Sequence, residues 1–181
     1  MKVLDTQLDG PLLIEPKVHG DPRGFFVESY RENVLAELGV AERFVQDNHS
    51  RSARGVVRGM HFAVGDGQAK LVRCARGSIV DVLVDIRRNS PGFGRWEAYE
   101  IDDQSLRLLY VPVGFAHGFC VTSEVADVAY KLSTYYDPAV ERGFAYDDPE
   151  VGIDWPDVET AVSERDATAP RLSEIADELP F

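Results

Sequence analysis

From Val56 onward, short apolar runs alternate with breaks rich in glycine, proline and aspartate. Residues 79–86 set the pattern. Val80, Val82, Val84 and Ile86 fall on one face by period-two counting, and Asp81 and Asp85 fall on the other with Leu83 between them. Runs at 71–74, 95–101, 106–111, 114–121 and 125–136 read as further strands, with Pro112 stopping the third. Upstream, 12–14, 17–19, 25–30 and 44–49 read as short extended segments, with a turn at Asp21-Pro22-Arg23-Gly24. Only 31–38 has helical spacing before the tail, and it ends at Gly39, a C-cap residue. Many short strands at close spacing predict an all-β fold, a jelly-roll barrel with short helical segments mainly in the C-terminal tail.

The stretch 56–70, VVRGMHFAVGDGQAK, concentrates polar chemistry between two strand-like runs. Gly65, Asp66 and Gly67 predict a tight reversal, because glycine admits the positive φ that such a turn needs. A hairpin there would hold His61 and Lys70 side by side on neighbouring strands.

After Asp137-Pro138 the character changes. Residues 157–181 are polar and acidic, with short helical pieces expected at 160–165 and 172–179. No internal repeat or low-complexity tract appears, so residues 1–181 are expected to form one domain. The tail is either a mobile acidic end or a cover packed onto the barrel, and as a helical and loop extension it is expected to contribute to the site.

The 181 residues are 44% hydrophobic and carry a formal net charge of -12. That charge argues against nucleic acid or an anionic membrane surface as a general partner. It also gives weight to any local cluster of cations. No apolar run approaches the ~20 residues of a membrane helix, and the N-terminus lacks the apolar core of a signal peptide. Cys74 and Cys120 make no disulfide framework, so a reduced, cytoplasmic compartment is the expectation.

Each polar candidate has a bland alternative. His61 and Lys70 suit carbanion or enolate chemistry as imidazole base and neighbouring cation, yet could be a core-edge histidine and a solvated lysine. A metal-binding jelly roll would need two histidines one residue apart, then an acidic ligand and a distant histidine. Here His19, His49, His61 and His117 are scattered, and Lys70 would repel a divalent ion, so no metal is expected. Cys74 and Cys120 have no evident activating partner as nucleophiles. Arg23 and Arg58, each followed by glycine, suit anion binding, or are surface arginines. Tyr130, Tyr135 and Tyr136 form an aromatic cluster that either packs the core or offers a proton donor.

Taken together, DPRGFFVESY, FVQDNHS, VVRGMHF, QAKLVRCARGSIVDVLVDIRRNSPGFGRW, VPVGFAHGF, YKLSTYYDP, ERGFAYDDPEVGIDWP and, in the tail, SERDATAP stand in order along most of the chain. In these segments the chain resembles the dTDP-4-dehydrorhamnose 3,5-epimerase family. The resemblance implies a jelly-roll homodimer that needs no metal or cofactor. It implies epimerisation of a dTDP-4-keto-6-deoxyhexose at C3 and C5, in deoxysugar biosynthesis.

By motif, the resemblance makes His61 the general base, Asp166 its orienting partner and Tyr130 the acid on the opposite face. Lys70 and His117 would stand near the keto sugar. Arg23 and Arg58 would bind pyrophosphate, while Glu28, Gln46, Asp47 and Asn48 would contact the nucleotide. Tyr136 would stack on thymine. Glu141 and Arg165 are further binding positions, with arginine at 165 where lysine is also found. The chain shows no GxGxxG dinucleotide fingerprint. One departure stands out: the loop 63–67 is shorter than the family's and carries Asp66, which makes it the expected place for a change in stereochemical scope. Some relatives invert a single centre, whereas the retained Tyr130 favours inversion of both.

Overall fold

The computed structural model describes residues 1–181 and builds thirteen strands into three sheets, every pairing between strands antiparallel. The strands are β1 (Lys2–Leu4), β2 (Leu12–Glu15), β3 (Val18–Asp21), β4 (Gly24–Val27), β5 (Gln46–Ala53), β6 (Val57–Ala63) and β7 (Lys70–Arg76). They continue with β8 (Ser78–Asp85), β9 (Trp96–Asp102), β10 (Leu108–Val111), β11 (Phe115–Val121), β12 (Val125–Leu132) and β13 (Glu141–Gly143). Helices are few and short: α1 (Glu32–Glu37), α2 (Glu164–Ala167) and α3 (Leu172–Ile175), the last running into a 3₁₀ turn at Ala176–Glu178. One sheet has the order β1-β2-β10-β7-β12-β5 and the other β13-β6-β11-β8-β9, while β3 and β4 form a ribbon of their own. This is the expected jelly roll.

The core lies between the two large sheets. Val72 and Cys74 of β7, Leu109 of β10 and Val128 of β12 meet Ile79 and Leu83 of β8, Ile101 of β9 and Phe119 of β11. The alternation on β8 is real, but neither face meets water. Ile79 and Leu83 turn into this core, while Val82, Val84 and Ile86 turn outward beneath Phe144, Leu172 and Leu179. The tail is therefore a cover: it closes the outer face of the five-stranded sheet, which explains apolar residues at both parities. A third cluster packs α1, through Leu35, and Val40 over Ile14, Leu71 and Leu108 of the six-stranded sheet.

Three local expectations are corrected. The bend at Gly65–Gly67 does not close a hairpin, because β6 and β7 belong to different sheets. With apolar side chains on both faces of both strands, burial favours a crossing at the barrel rim. Gly67 makes that crossing at φ 77°, and a Cβ there would lie 2.3 Å from Val113 Cγ1. His61 and Lys70 still meet, across the two sheets, with Lys70 Nζ donating to the His61 carbonyl at 3.4 Å. Second, β12 stops at Leu132 and β4 at Val27, short of the predicted ends. Third, the three tyrosines do not cluster: Tyr130 lines the internal cavity, Tyr136 stands at its edge half exposed, and Tyr135 is 74% exposed and outside it.

The segment after Pro156 is tied down at both ends. The Val57 amide donates to the Ala161 carbonyl and the Ala161 amide to the Gly55 carbonyl, each at 2.9 Å, making an isolated parallel bridge beside β6. Farther on, the Leu172 amide donates to the buried carboxylate of Asp148 at 2.8 Å, and the Ala145 amide donates to the Pro170 carbonyl at 2.8 Å. Between these anchors lies α2.

Candidate active site

A cavity of about 470 Å³ opens between the sheets where β5, β6, β7, β11 and β12 converge with the strap 161–166. Ten of the sequence-predicted site residues line it: Asn48, Arg58, His61, Lys70, His117, Tyr130, Tyr136, Glu141, Arg165 and Asp166. Arg58 and His61 come from β6, Lys70 from β7, His117 from β11 and Tyr130 from β12. β6 and β11 pair with His61 opposite His117, and β12 pairs with β5 so that Tyr130 stands opposite Asn48.

His61 Nε2 lies 2.7 Å from Asp166 Oδ1. Asp166 is only 6% exposed at its side chain, and His61 is 25% exposed toward the cavity. Burial raises the Asp166 pKa, but the His61 hydrogen bond and charge outweigh it, with help from the Gly59 amide and the Ser163 hydroxyl. The carboxyl is held below its ordinary 3.8. An ionised carboxylate only accepts hydrogen bonds, so Nε2 carries the imidazole proton and Nδ1 keeps the lone pair. Gly59 lets β11 pack this close to β6 beside the pair. Its φ is 147°, and a Cβ there would lie 2.5 Å from the Gly118 Cα.

Lys70 is buried, at 7% exposure. Burial pushes its ammonium below the usual 10.5, and the charges of Glu141 and Asp81 partly offset that. Deeper still, His117 Nε2 contacts the fully buried Asp81 carboxylate at 2.9 and 3.0 Å. The cavity thus presents two imidazole–carboxylate pairs, one ammonium and one phenol, with the guanidinium groups of Arg58 and Arg165 on its wall. Arg58 is steadied by its Nε, which donates to the buried Ser52 hydroxyl at 3.1 Å. The cysteines stay apart from this chemistry. Burial pushes the Cys74 thiol up to about 11 and raises Cys120 as well, so neither is an activated nucleophile.

Four predicted residues are not on the cavity wall. Gln46 and Asp47 lie just beyond it. Gln46 Oε1 accepts from the Tyr136 amide at 2.9 Å, and Asp47 pairs with Lys131 at 2.7 Å. Arg23 sits at the exposed turn of the β3–β4 ribbon, ion-paired to Asp21, and Glu28 follows that ribbon, paired to Arg31. The loop 63–67 does not line the cavity either; Gln68, the first residue beyond it, does. Sequence reasoning missed Gln68, Ser50, Ser52 and Ser163. Gln68 is buried and its Nε2 donates to the Thr134 carbonyl and hydroxyl at 3.2 and 3.0 Å. Parity along β5 could have found the two serines, since Asn48, Ser50 and Ser52 share one face.

An antiparallel jelly roll with an imidazole–carboxylate pair, a phenol and a buried ammonium around one cavity is an enzyme of the acid–base class, equipped to move protons. The family model described as dTDP-4-dehydrorhamnose 3,5-epimerase matches residues 5–174. The chain is 46% identical over 177 residues to the dTDP-4-dehydrorhamnose 3,5-epimerase of Salmonella typhimurium, covering 96% of this chain and 97% of that protein. It is 44% identical over 179 residues to a dTDP-4-dehydrorhamnose 3-epimerase of Streptomyces niveus, covering 98% and 86%. The crystal structure of the dTDP-6-deoxy-D-glucose-3,5-epimerase of Legionella pneumophila, in complex with dTDP-4-keto-L-rhamnose, superposes with a TM-score of 0.96 at 46% identity, covering 99% and 97%. The chain belongs to the dTDP-4-dehydrorhamnose 3,5-epimerase family, and it is an isomerase.

Proposed function

We propose that the protein converts dTDP-4-dehydro-6-deoxy-D-glucose to dTDP-4-dehydro-L-rhamnose by epimerisation at C3 and C5, in dTDP-L-rhamnose biosynthesis. The observation that carries the mechanism is the His61–Asp166 pair at 2.7 Å, on a cavity shared with Lys70 and Tyr130.

The C4 ketone acidifies the hydrogens on C3 and C5. His61 Nδ1 removes one of them, and the electron pair moves onto the C4 oxygen as an enolate. Asp166 stabilises the imidazolium that forms. The Lys70 ammonium and His117 offset the enolate charge. Tyr130 returns a proton from the opposite face, inverting the centre; solvent then takes the proton from His61 and reprotonates the Tyr130 phenolate, and a second cycle inverts the other centre. Arg58 and Arg165 attract the diphosphate against the protein's overall negative charge. Asn48 and Tyr136 hold the nucleoside, and Glu141 borders the sugar end and tempers Lys70. No step calls for a redox cofactor or a metal.

Arg23, Glu28, Gln46 and Asp47 complete the reading as nucleotide contacts. For Arg23 and Glu28 this requires a second copy of the chain. The β3–β4 ribbon stands outside both sheets, with Phe25 and Phe26 at 60% and 66% exposure, a surface suited to a homodimer partner. The cytoplasm, where nucleotide sugars are made and thiols stay reduced, is the proposed compartment. The whole chain acts as one unit, because the strap 161–166 supplies Asp166 to the barrel.

Incubation with the substrate in deuterated water tests the function. Deuterium entering at both C3 and C5, with inversion, is the expected result. A second reading, a single-centre epimerase for another dTDP-deoxysugar, is favoured by the comparable identity to the Streptomyces niveus 3-epimerase. Deuterium confined to one centre at long times would establish it and remove the first.

A further inference from the structure

The strap that carries Asp166 contains a device the reaction scheme does not use. Ser163 is the N-cap of α2, in extended conformation at φ -69°, ψ 158°, and its hydroxyl oxygen accepts the Asp166 amide at 3.1 Å. Asp166 is thus the third residue of the helix. The spacing Ser163-Glu164-Arg165-Asp166 has the form of a capping box, with aspartate where glutamate or glutamine is usual. In a capping box the acidic side chain at that third position turns back to the N-cap amide. Here it does not. Its carboxylate turns to β6, taking His61 Nε2 at 2.7 Å and the Gly59 amide.

This arrangement sets up a competition. The first amides of any helix lack intrahelical acceptors and attract nearby carboxylates. Glu164 and Asp166 both stand in that first turn, and drawing the Asp166 carboxylate back to the Ser163 amide would take it off His61. The Ser163 hydroxyl takes the amide of Asp166 itself and also hydrogen-bonds the Asp166 carboxylate. The two contacts hold that carboxylate toward the imidazole and away from the Ser163 amide.

We propose that Ser163 is a positioning residue: by holding the Asp166 amide and carboxylate with its hydroxyl, it orients that carboxylate for His61. The inference rests on the proposed roles of that pair. Because the strap is fixed independently, at Ala161 beside β6 and at Leu172 on Asp148, loss of the hydroxyl changes the direction of Asp166 without releasing the segment.

The test compares the full-length protein with Ser163→Ala and Ser163→Thr. Three quantities are read: steady-state kinetics on the nucleotide sugar, calorimetric binding of dTDP alone, and the proton resonance of the hydrogen-bonded His61 Nε2–H, assigned with Asp166→Asn as reference. In Ser163→Ala, kcat is expected to fall about fivefold to tenfold, the size expected for a lost N-cap, with KM and dTDP affinity unchanged. The His61 resonance should move upfield and exchange faster with water. Ser163→Thr, which keeps the hydroxyl, should restore all three. An unchanged kcat and resonance in Ser163→Ala would overturn the proposal. So would a loss of dTDP binding in parallel with kcat that threonine fails to rescue, because that pattern marks general disorder. A wild-type protein that leaves the nucleotide sugar untouched would remove the proposed function instead, and the His61 resonance would still decide the role of Ser163.

Discussion

Asp166 stands 105 residues from His61 in sequence, yet its Oδ1 lies 2.7 Å from the imidazole Nε2. The carboxylate fixes which nitrogen carries the proton, so exchanging it for an amide changes the chemistry more than the shape. Asp166→Asn can present its amide N–H to Nε2 and push the proton to Nδ1, the nitrogen proposed to accept the substrate proton. The kcat of Asp166→Asn is expected to fall about 10²- to 10⁴-fold with little change in KM. Wild-type kinetic constants in this variant would rule out the pairing as the source of the base.

Tyr130 and His61 line the same cavity from different sheets, and the proposed mechanism divides proton removal from proton return between them. Tyr130→Phe should still exchange substrate hydrogens with deuterated solvent through His61. Formation of the inverted product should drop about 10²-fold or more. Proton NMR of the substrate and product pools reads both quantities in one experiment. Equal loss of exchange and inversion would contradict the division of roles.

The pH dependence follows from Lys70. Burial holds its ammonium below 10.5, and Glu141 counteracts that. The cation proposed to offset the enolate is therefore lost on the alkaline side below 10.5. Glu141→Gln removes the counteracting charge, so the alkaline limb of kcat should move to lower pH. The stability effect has the matching sign. A lysine that holds its proton less tightly in the folded state than in the unfolded one favours unfolding while protonated. Folding stability should therefore gain as pH rises through the folded value toward 10.5. An alkaline limb that moves upward in Glu141→Gln would exclude this coupling.

Gly59 is a position where a single methyl group is too much. At φ 147°, with a Cβ 2.5 Å from the Gly118 Cα, alanine forces two paired strands apart beside the base. Gly59→Ala is expected to lose about 2–4 kcal/mol of stability by denaturant unfolding. A loss below about 0.5 kcal/mol would show that the strands can give way.

On the proposed homodimer, the exposed ribbon makes the prediction. Sedimentation at micromolar concentration should show a dimer for the wild type and a monomer for Phe26→Asp, with weaker dTDP binding in the monomer. A monomeric wild type would remove the second copy, and with it the assignment of Arg23 and Glu28.

How far the sequence reached depended on the range of the interaction. The two parities of β8 were readable because side-chain direction is a local property of a strand. The closure at Gly65–Gly67 was not, because a glycine bend is the same whether the chain folds back or crosses to another sheet; the choice depends on burial partners far along the chain. Gln68 and Ser163 went unseen as site residues for a similar reason. Each is an ordinary polar residue until Thr134 or Asp166 is brought to it. The tail's role as a cover could not be chosen over a mobile end, since the apolar side chains that hold it (Leu172 and Leu179) are sparse in a polar segment and meet Val82 and Val84 only in three dimensions.

β11 carries a consequence of a different kind. All seven of its residues are buried, because core lies on one side and the tail-covered layer on the other. Such a strand has no position where substitution is free. Genetic drift in this protein is therefore channelled away from the centre of the five-stranded sheet, toward the exposed positions of β5 beyond Asp47 and the outer surface of the tail. A deep mutational scan should show this as an intolerant band at Phe115–Val121, its depth set by packing and, at His117 and Phe119, by their place on the cavity wall as well.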